Sequence, residues 1–366
     1  MPDPISESKD TRLYARGSSL VIVAAVIVIG AGLKSSQDLI VPFLLSVFIA
    51  TIAATPMFWL QKKGIPKAFS LPLVMVLMIV TIVLMGALIA QSTSAFSAKM
   101  PFYQARLLVL QKDSLALLGP LLATFNITDF SSITSNFSPN SALQLAATTL
   151  ARLGGVLSNS FLIMLTVIFI LAEAASFPKK LNQVLKEPLN SMPHFARFAE
   201  NVNRYIAIKT SVSVATGLLV TLFLWILGVD FPILWGLLAF LLNYVPTIGS
   251  IIAAVPPLLL ALVQLGPGAA IGVAIGFLSI NLIMGNAIEP RFMGKGLGLS
   301  TLIVFLSLVL WGWVLGPVGM LLSVPLTMTA KIALEANPHT EWIATLLGPA
   351  DAISQQQEPD VGNPDA

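Results

Sequence analysis

One acid and two bases, Glu289, Arg291 and Lys295, interrupt an otherwise uncharged stretch that runs from Asp230 to Lys331. An ionisable side chain in apolar surroundings is costly, so it pairs, faces water, or handles something polar. The three residues therefore form a candidate gate or coupling group. The plainer alternative is a helix-end acid that only pairs with Arg291 at an interface. Asn281, Gly285 and Glu289 recur at intervals of four, and Asn286 lies three residues before the acid. On a regular helix that spacing puts both amides and the carboxylate on one face.

A second polar feature is the break Asn243-Tyr244-Val245-Pro246-Thr247-Ile248-Gly249. Proline removes a backbone donor and glycine permits turns, so the break frees amides and carbonyls that need protein or water at membrane depth. Asn243, Thr247 and Ser250 would add side-chain hydrogen bonds, which makes them candidates, with Asn281 and Asn286, for a substrate or pathway lining. A proline kink serving packing alone is the competing reading. Gly268, Gly272 and Gly276 form a small-residue ridge expected to pack against another helix.

These residues sit in a chain whose solvent is lipid. Hydrophobic residues make up 56% and charged residues 10%, and mean hydropathy is +0.88, more apolar surface than a water-soluble domain can hide. Lys and Arg lie in loops, as expected for loops facing anionic lipid, so the net charge of +3 does not indicate nucleic acid as a partner. Cysteine is absent and His194 and His339 are the only histidines, which excludes disulfides and thiolate or histidine-rich metal sites. No metal or other cofactor is expected. Gly294-Lys295-Gly296 lacks the leading glycine of a phosphate loop, and Gly298 to Leu302 lacks the closing glycine of a nucleophile elbow, so an enzyme is not expected.

The fold class expected is all-α, a polytopic membrane protein of about eight segments. Residues 1–17 form a cytoplasmic N-terminus, and residues 18–90 hold three spans, of which Leu20 to Leu33 is a retained first span. Residues 91–152 form an external helical segment, 153–175 a further span and 176–209 basic amphipathic cytoplasmic helices. Residues 210–335 form the core and 336–366 a partly disordered cytoplasmic tail. Lys9, Arg12 and Arg16 before the first span, and the bases from Lys179 to Lys209, place both termini in the cytoplasm.

Two blocks, 232–263 and 300–331, are too long for one crossing: 32 residues each, or about 48 Å of straight helix against a core of about 30 Å. Each is broken, the second at Gly316-Pro317-Val318-Gly319. Two topologies follow. Re-entrant helical hairpins put Lys295 in the cytoplasm, whereas eight plain crossings put it outside, and the positive-inside bias favours the hairpins. Pro246 and Gly249 in one block, and Gly316, Pro317 and Gly319 in the other, would be the hinges.

The stretches WGLLAFLLNYVPTIGSIIAAVPPLLLAL (Trp235 to Leu262) and GNAIEPRFMGKGLGLSTLIVFLSLVLWGWVLGPVGMLLSVPLTMTAKIALE (Gly285 to Glu335) resemble the autoinducer-2 exporter family of bacterial inner-membrane proteins. The second resembles its quorum-signal exporter branch. The resemblance implies export of a small polar signal metabolite, autoinducer-2, and a homo-oligomeric assembly, with a pentamer as one form. Other members of the family look like sodium/proton antiporters. That activity needs intramembrane acids, and Glu289 with Asp38, Glu173 and Asp230 near span ends are those available. A non-transporting scaffold is the third reading, and it expects Asn243 and Glu289 to tolerate Ala.

Overall fold

The computed structural model describes residues 24–25, 27–124, 147–148, 160–174, 188–293, 298–335 and 340–349. Lys295, the polar N-terminus, residues 175–187 of the basic loop and the tail beyond residue 349 lie outside them. All regular structure among the described residues is helical. In chain order the elements are α1 (Gln37–Lys62), α2 (Lys67–Thr124), α3 (Ser160–Ala174), α4 (Pro188–Leu227), α5 (Pro232–Leu242), α6 (Ile248–Leu265) and α7 (Pro267–Asn281). A π-helical stretch, Leu282–Ile288, joins α7 to α8 (Glu289–Met293), and α9 (Thr301–Glu335) and α10 (Glu341–Leu346) complete the chain.

Among the described residues six helices are long and apolar enough to cross a membrane, and α3 and α5 are shorter apolar helices. Their outward surfaces are greasy: Phe69, Val83 and Leu84 on α2 and Leu218, Trp225 and Ile226 on α4 are all exposed. A continuous apolar exterior of this kind belongs in hydrocarbon. Small residues bring α1 close to its neighbours. Ala50, Ala53 and Met57 pack with Val74 of α2 and with Ile163, Val167 and Leu171 of α3.

α2 runs unbroken for 58 residues, about 87 Å, through the boundary at residue 90 where rising polarity suggested that the span ends. The reason is a stripe at intervals of seven. Ile89, Phe96 and Tyr103 stay on one side of the helix and are buried in a cluster with Val220, Leu224, Leu234, Trp235, Leu260 and Phe277. The helix therefore carries an apolar seam past its lipid-facing part.

Both broken blocks fold back on themselves. α5 and α6 form the first hairpin, hairpin I, whose base is closed where Gln264 accepts from the Asp230 amide (2.9 Å) and donates to the Gly228 carbonyl (3.0 Å). At its tip a Cβ on Gly249 would run into the Leu242 carbonyl, so only glycine lets the arms approach this closely. α9 is a second hairpin, hairpin II, creased at Gly316, whose φ of 66° and ψ of −152° are open to glycine and strained for other residues. Across the crease Trp311 Nε1 donates to Thr327 Oγ1 at 3.0 Å, although the two are 16 residues apart and would lie about 24 Å apart on a straight helix. Lys331 Nζ closes the base by donating to the Gly298 carbonyl at 2.8 Å.

The hairpins have opposite senses relative to α4. The base of hairpin I meets the C-terminal end of α4, at Gly228 and Asp230. The base of hairpin II follows α8 closely, and Leu299 and Met328 share a buried cluster with Tyr205 and Ile206 in the N-terminal half of α4. The Trp313 ring, near the crease of hairpin II, lies under Lys34 Nζ at 4.3 Å. α4 and α5 touch through backbone at Gly217 and Gly236, where a Cβ on Gly217 would come within 2.8 Å of the Gly236 carbonyl.

Candidate functional site

α4 carries a polar stripe through an otherwise apolar interior. Tyr205, Lys209 and Ser213 follow at intervals of four, with Thr210 beside them, and Tyr205, Lys209 and Ser213 are all buried. Lys209 Nζ binds both oxygens of Glu289, at 2.7 and 2.9 Å, and the two side chains are only 6% and 17% exposed. A pair this far from water is weakly screened. Losing one partner would strand the other's charge, at a cost of about 3–5 kcal/mol.

The π-helical stretch sets this geometry. Its wider turn ends at Ile288, directly before Glu289, and so re-aims the acid relative to the α-helical register upstream. The same widening separates residues that a regular helix would align. Asn281 is half-buried, while Asn286 is exposed. Such turns recur at functional sites because they place a side chain where a regular helix cannot.

The stripe also holds the tip of hairpin I. Tyr244 Oη donates to Thr210 Oγ1 at 2.8 Å, and Asn243 Nδ2 donates to Ser213 Oγ at 2.9 Å. Phe48 and Phe240 meet the Tyr244 ring edge-on, with centroids 5.4 and 5.8 Å away. Beyond Tyr244 the chain turns at Pro246 and Thr247, and Thr247 takes a left-handed φ of 60° unusual for a β-branched residue. Thr247 is exposed, and its carbonyl accepts from Ser250 Oγ at 3.1 Å. The site thus brings a buried ion pair and a strained polar turn to neighbouring levels of one helix.

Of the residues singled out by sequence, the fold brings Glu289 and Asn243 onto α4 and puts Thr247 on the adjoining turn, with Ser250 in the first turn of α6. Arg291 is exposed, and the acid's partner is Lys209 instead. The ridge on α7 divides. Gly276 packs under Phe223, whereas a Cβ on Gly268 or Gly272 would meet nothing within 4 Å. At the crease of hairpin II, Gly319 abuts the Trp311 carbonyl, and Gly316 has open space but a positive φ.

Lys209, Thr210, Ser213 and Tyr244 were not among the expected site residues. Their signal was present: Lys209, Thr210 and Ser213 fall at helical spacing where the basic loop meets the apolar run, and Tyr244 lies in the Asn243 to Gly249 break. The close helix approach at Gly217 and Gly236 had no such signal, because neither glycine belongs to a repeat.

Lipid-facing helices around a buried ion pair and two broken hairpins define a multi-pass membrane protein of the transporter class. The chain belongs to the AI-2E family: the AI-2E family transporter pattern matches residues 19–339. It is 39% identical over 329 residues to AI-2 transport protein TqsA of Escherichia coli (strain K12), covering 90% of this chain and 94% of that one. A protein of Haemophilus influenzae is 42% identical over 337 residues, 90% of this chain and 96% of the relative. YhhT of Escherichia coli (strain K12) is 36% identical over 339 residues, 90% and 94% of the two chains.

Proposed function

We propose that this transporter exports a small polar signal metabolite, autoinducer-2, across the inner membrane by alternating access without ATP hydrolysis. The observation that carries the substrate is the 39% identity, over nearly the whole of both chains, to a relative named for AI-2 transport. Asn243, Thr247, Ser250, Asn281 and Asn286 line the pathway in this reading. Glu289 is the gate or coupling acid, Lys209 its counter-ion, and Arg291 and Lys295 complete the charged group. Pro246 and Gly249, with Gly316, Pro317 and Gly319, serve as hinges, since those positions turn the two hairpins back. A homo-oligomer, for instance a pentamer, would cover Gly268 and Gly272, which face open space beside exposed Ile271 and Ile275.

The test is the partition of autoinducer-2 in a signal-producing strain without its own exporter, expressing this chain or its Glu289→Gln variant at matched levels. Export through a functional acid predicts a lower internal pool that rises again in the variant. An unchanged partition with the native chain would overturn the substrate. The specific observation favouring cation exchange is the buried carboxylate whose counter-ion, Lys209, a proton or sodium ion could replace. That reading predicts pH-linked sodium flux in everted vesicles, lost in Glu289→Gln.

A further inference from the structure

A second charged cluster lies at the far end of α4, outside the site above. Asp230 follows the apolar run Thr210 to Val229 as Lys209 precedes it. From Lys209 to Leu227 there is about 27 Å of helix, close to the bilayer core of about 30 Å. Lys99 Nζ binds both Asp230 oxygens at 2.8 Å, and Tyr103 Oη donates to Oδ2 at 2.7 Å. The Asp230 backbone is held too. Its amide donates to Gln264 Oε1 at 2.9 Å, and its carbonyl accepts from Trp235 Nε1 at 3.0 Å. Phe231, in a left-handed conformation (φ 59°), lies against Phe96 and beneath Lys99.

The cluster joins α2 to hairpin I. Lys99 and Tyr103 belong to the extension of α2 past its lipid-facing part, while Asp230 and Gln264 are the two ends of hairpin I. We propose that Asp230, fastened by Tyr103 and Lys99, is the positioning residue of a second gate that closes the transport path at the end of the span opposite Lys209 and Glu289. This rests on the alternating-access reading, which needs one closure at each end. Three features make the contact a latch rather than ordinary packing. Lys99 is half-exposed and Asp230 has 20% exposure, so water can take up their charges when the contact parts. Tyr103 is fully buried beneath them, so its hydroxyl bond is the strong member and the exposed Lys99 contact the weak one. Directly below runs the seam of Ile89, Phe96 and Trp235, which must open for anything to pass between α2 and hairpin I.

The test reads accessibility and needs no substrate. In the cysteine-free chain, Ser213→Cys puts a fully buried reporter thiol under the tip of hairpin I. A membrane-impermeant thiol reagent is added to intact cells and to everted vesicles, and Lys99→Cys in a separate protein identifies the face on which the latch lies. Asp230→Asn should raise the labelling rate of the reporter about tenfold from the latch face, as expected when a charge-assisted bond holding a closed state is lost. Tyr103→Phe should raise it less, and Lys99→Gln least. Unchanged labelling in both Asp230→Asn and Tyr103→Phe would overturn the gate. So would a rise that is equal from both faces, which is the mark of a loosened fold. If the carried solute is not autoinducer-2, the one-sided labelling stands while the partition assay fails, so the two readings fail separately.

Discussion

Replacing Lys209 by Met leaves Glu289 without its ammonium among buried apolar groups. Both Glu289 oxygens engage Lys209, at 2.7 and 2.9 Å, and the side chains are 6% and 17% exposed, so solvent cannot take over the role of the lost partner. Breaking such a pair costs about 3–5 kcal/mol, and the partial exposure of Glu289 puts this variant at about 3 kcal/mol. Glu289→Met, which strands the deeper ammonium, should cost more. The double replacement removes both charges and should recover most of the loss, because apolar substitutes for a buried pair are often neutral. Thermal unfolding of detergent-purified protein, followed by fluorescence-detected gel filtration, measures the three stabilities as a double-mutant cycle. Single variants as stable as the native chain would refute the claim that this pair is engaged and desolvated. Autoinducer-2 partition then separates roles. A double variant that folds and still exports shows a pair that only holds the bundle together, whereas one that folds without exporting shows a pair that works in transport.

Other positions give sharper structural contrasts. Gly249→Ala should destabilise by about 2 kcal/mol, since its Cβ meets the Leu242 carbonyl, whereas Gly272→Ala should change the stability of a single protomer by less than about 0.5 kcal/mol; thermal midpoints compare them. Gly316→Ala has space but a φ of 66°, so it should cost about 1–2 kcal/mol by the same measurement. Tyr244→Phe removes one hydroxyl bond to Thr210 and should cost about 1 kcal/mol, with a change in export exceeding the change in stability if the tip moves. Lys295→Cys should be labelled from the cytoplasmic face, and labelling from outside would favour the plain-crossing orientation over the re-entrant one.

The membrane class and the positions of the two breaks were legible, because composition and proline–glycine punctuation act locally. Periodicity alone could not give the fold-back, since a kinked helix and a hairpin share it; the charge bias favoured hairpins, and long-range contacts such as Trp311 to Thr327 make the fold-back visible. Arg291 was a poor partner for Glu289 on helical geometry alone: residues two apart point to different sides. The actual partner is 80 residues away, on a helix whose basic residues looked like an orienting loop. The π-helical stretch was hidden too, because nothing in Leu282-Ile283-Met284-Gly285 distinguishes it from regular helix. At Gly268 and Gly272 the period is clear, yet a Cβ there would meet nothing within 4 Å among the described residues. For α2, polarity at Gln91 to Ser94 masked a stripe that continues through Phe96 and Tyr103.

The unequal strength of the contacts on α4 orders the steps of any movement. The tip of hairpin I is fixed to α4 by two neutral hydrogen bonds, from Tyr244 and Asn243, which together contribute about 2 kcal/mol. Lys209 and Glu289 contribute more, and neither can be released into hydrocarbon unless water, a proton or a solute replaces its partner. A polar solute can substitute for the Tyr244 and Asn243 bonds at little net cost, so the tip can yield while the ion pair still holds. Parting of the ion pair is then the costlier step, and it proceeds only when something polar has already reached it. Under the proposed alternating access, hairpin I, rooted at the other end of α4 through Asp230 and Gln264, would move its tip by rotating about that root. A rigid root therefore matters as much as a free tip: loosening Gln264 should reduce the coupling between tip and ion pair even though it touches neither.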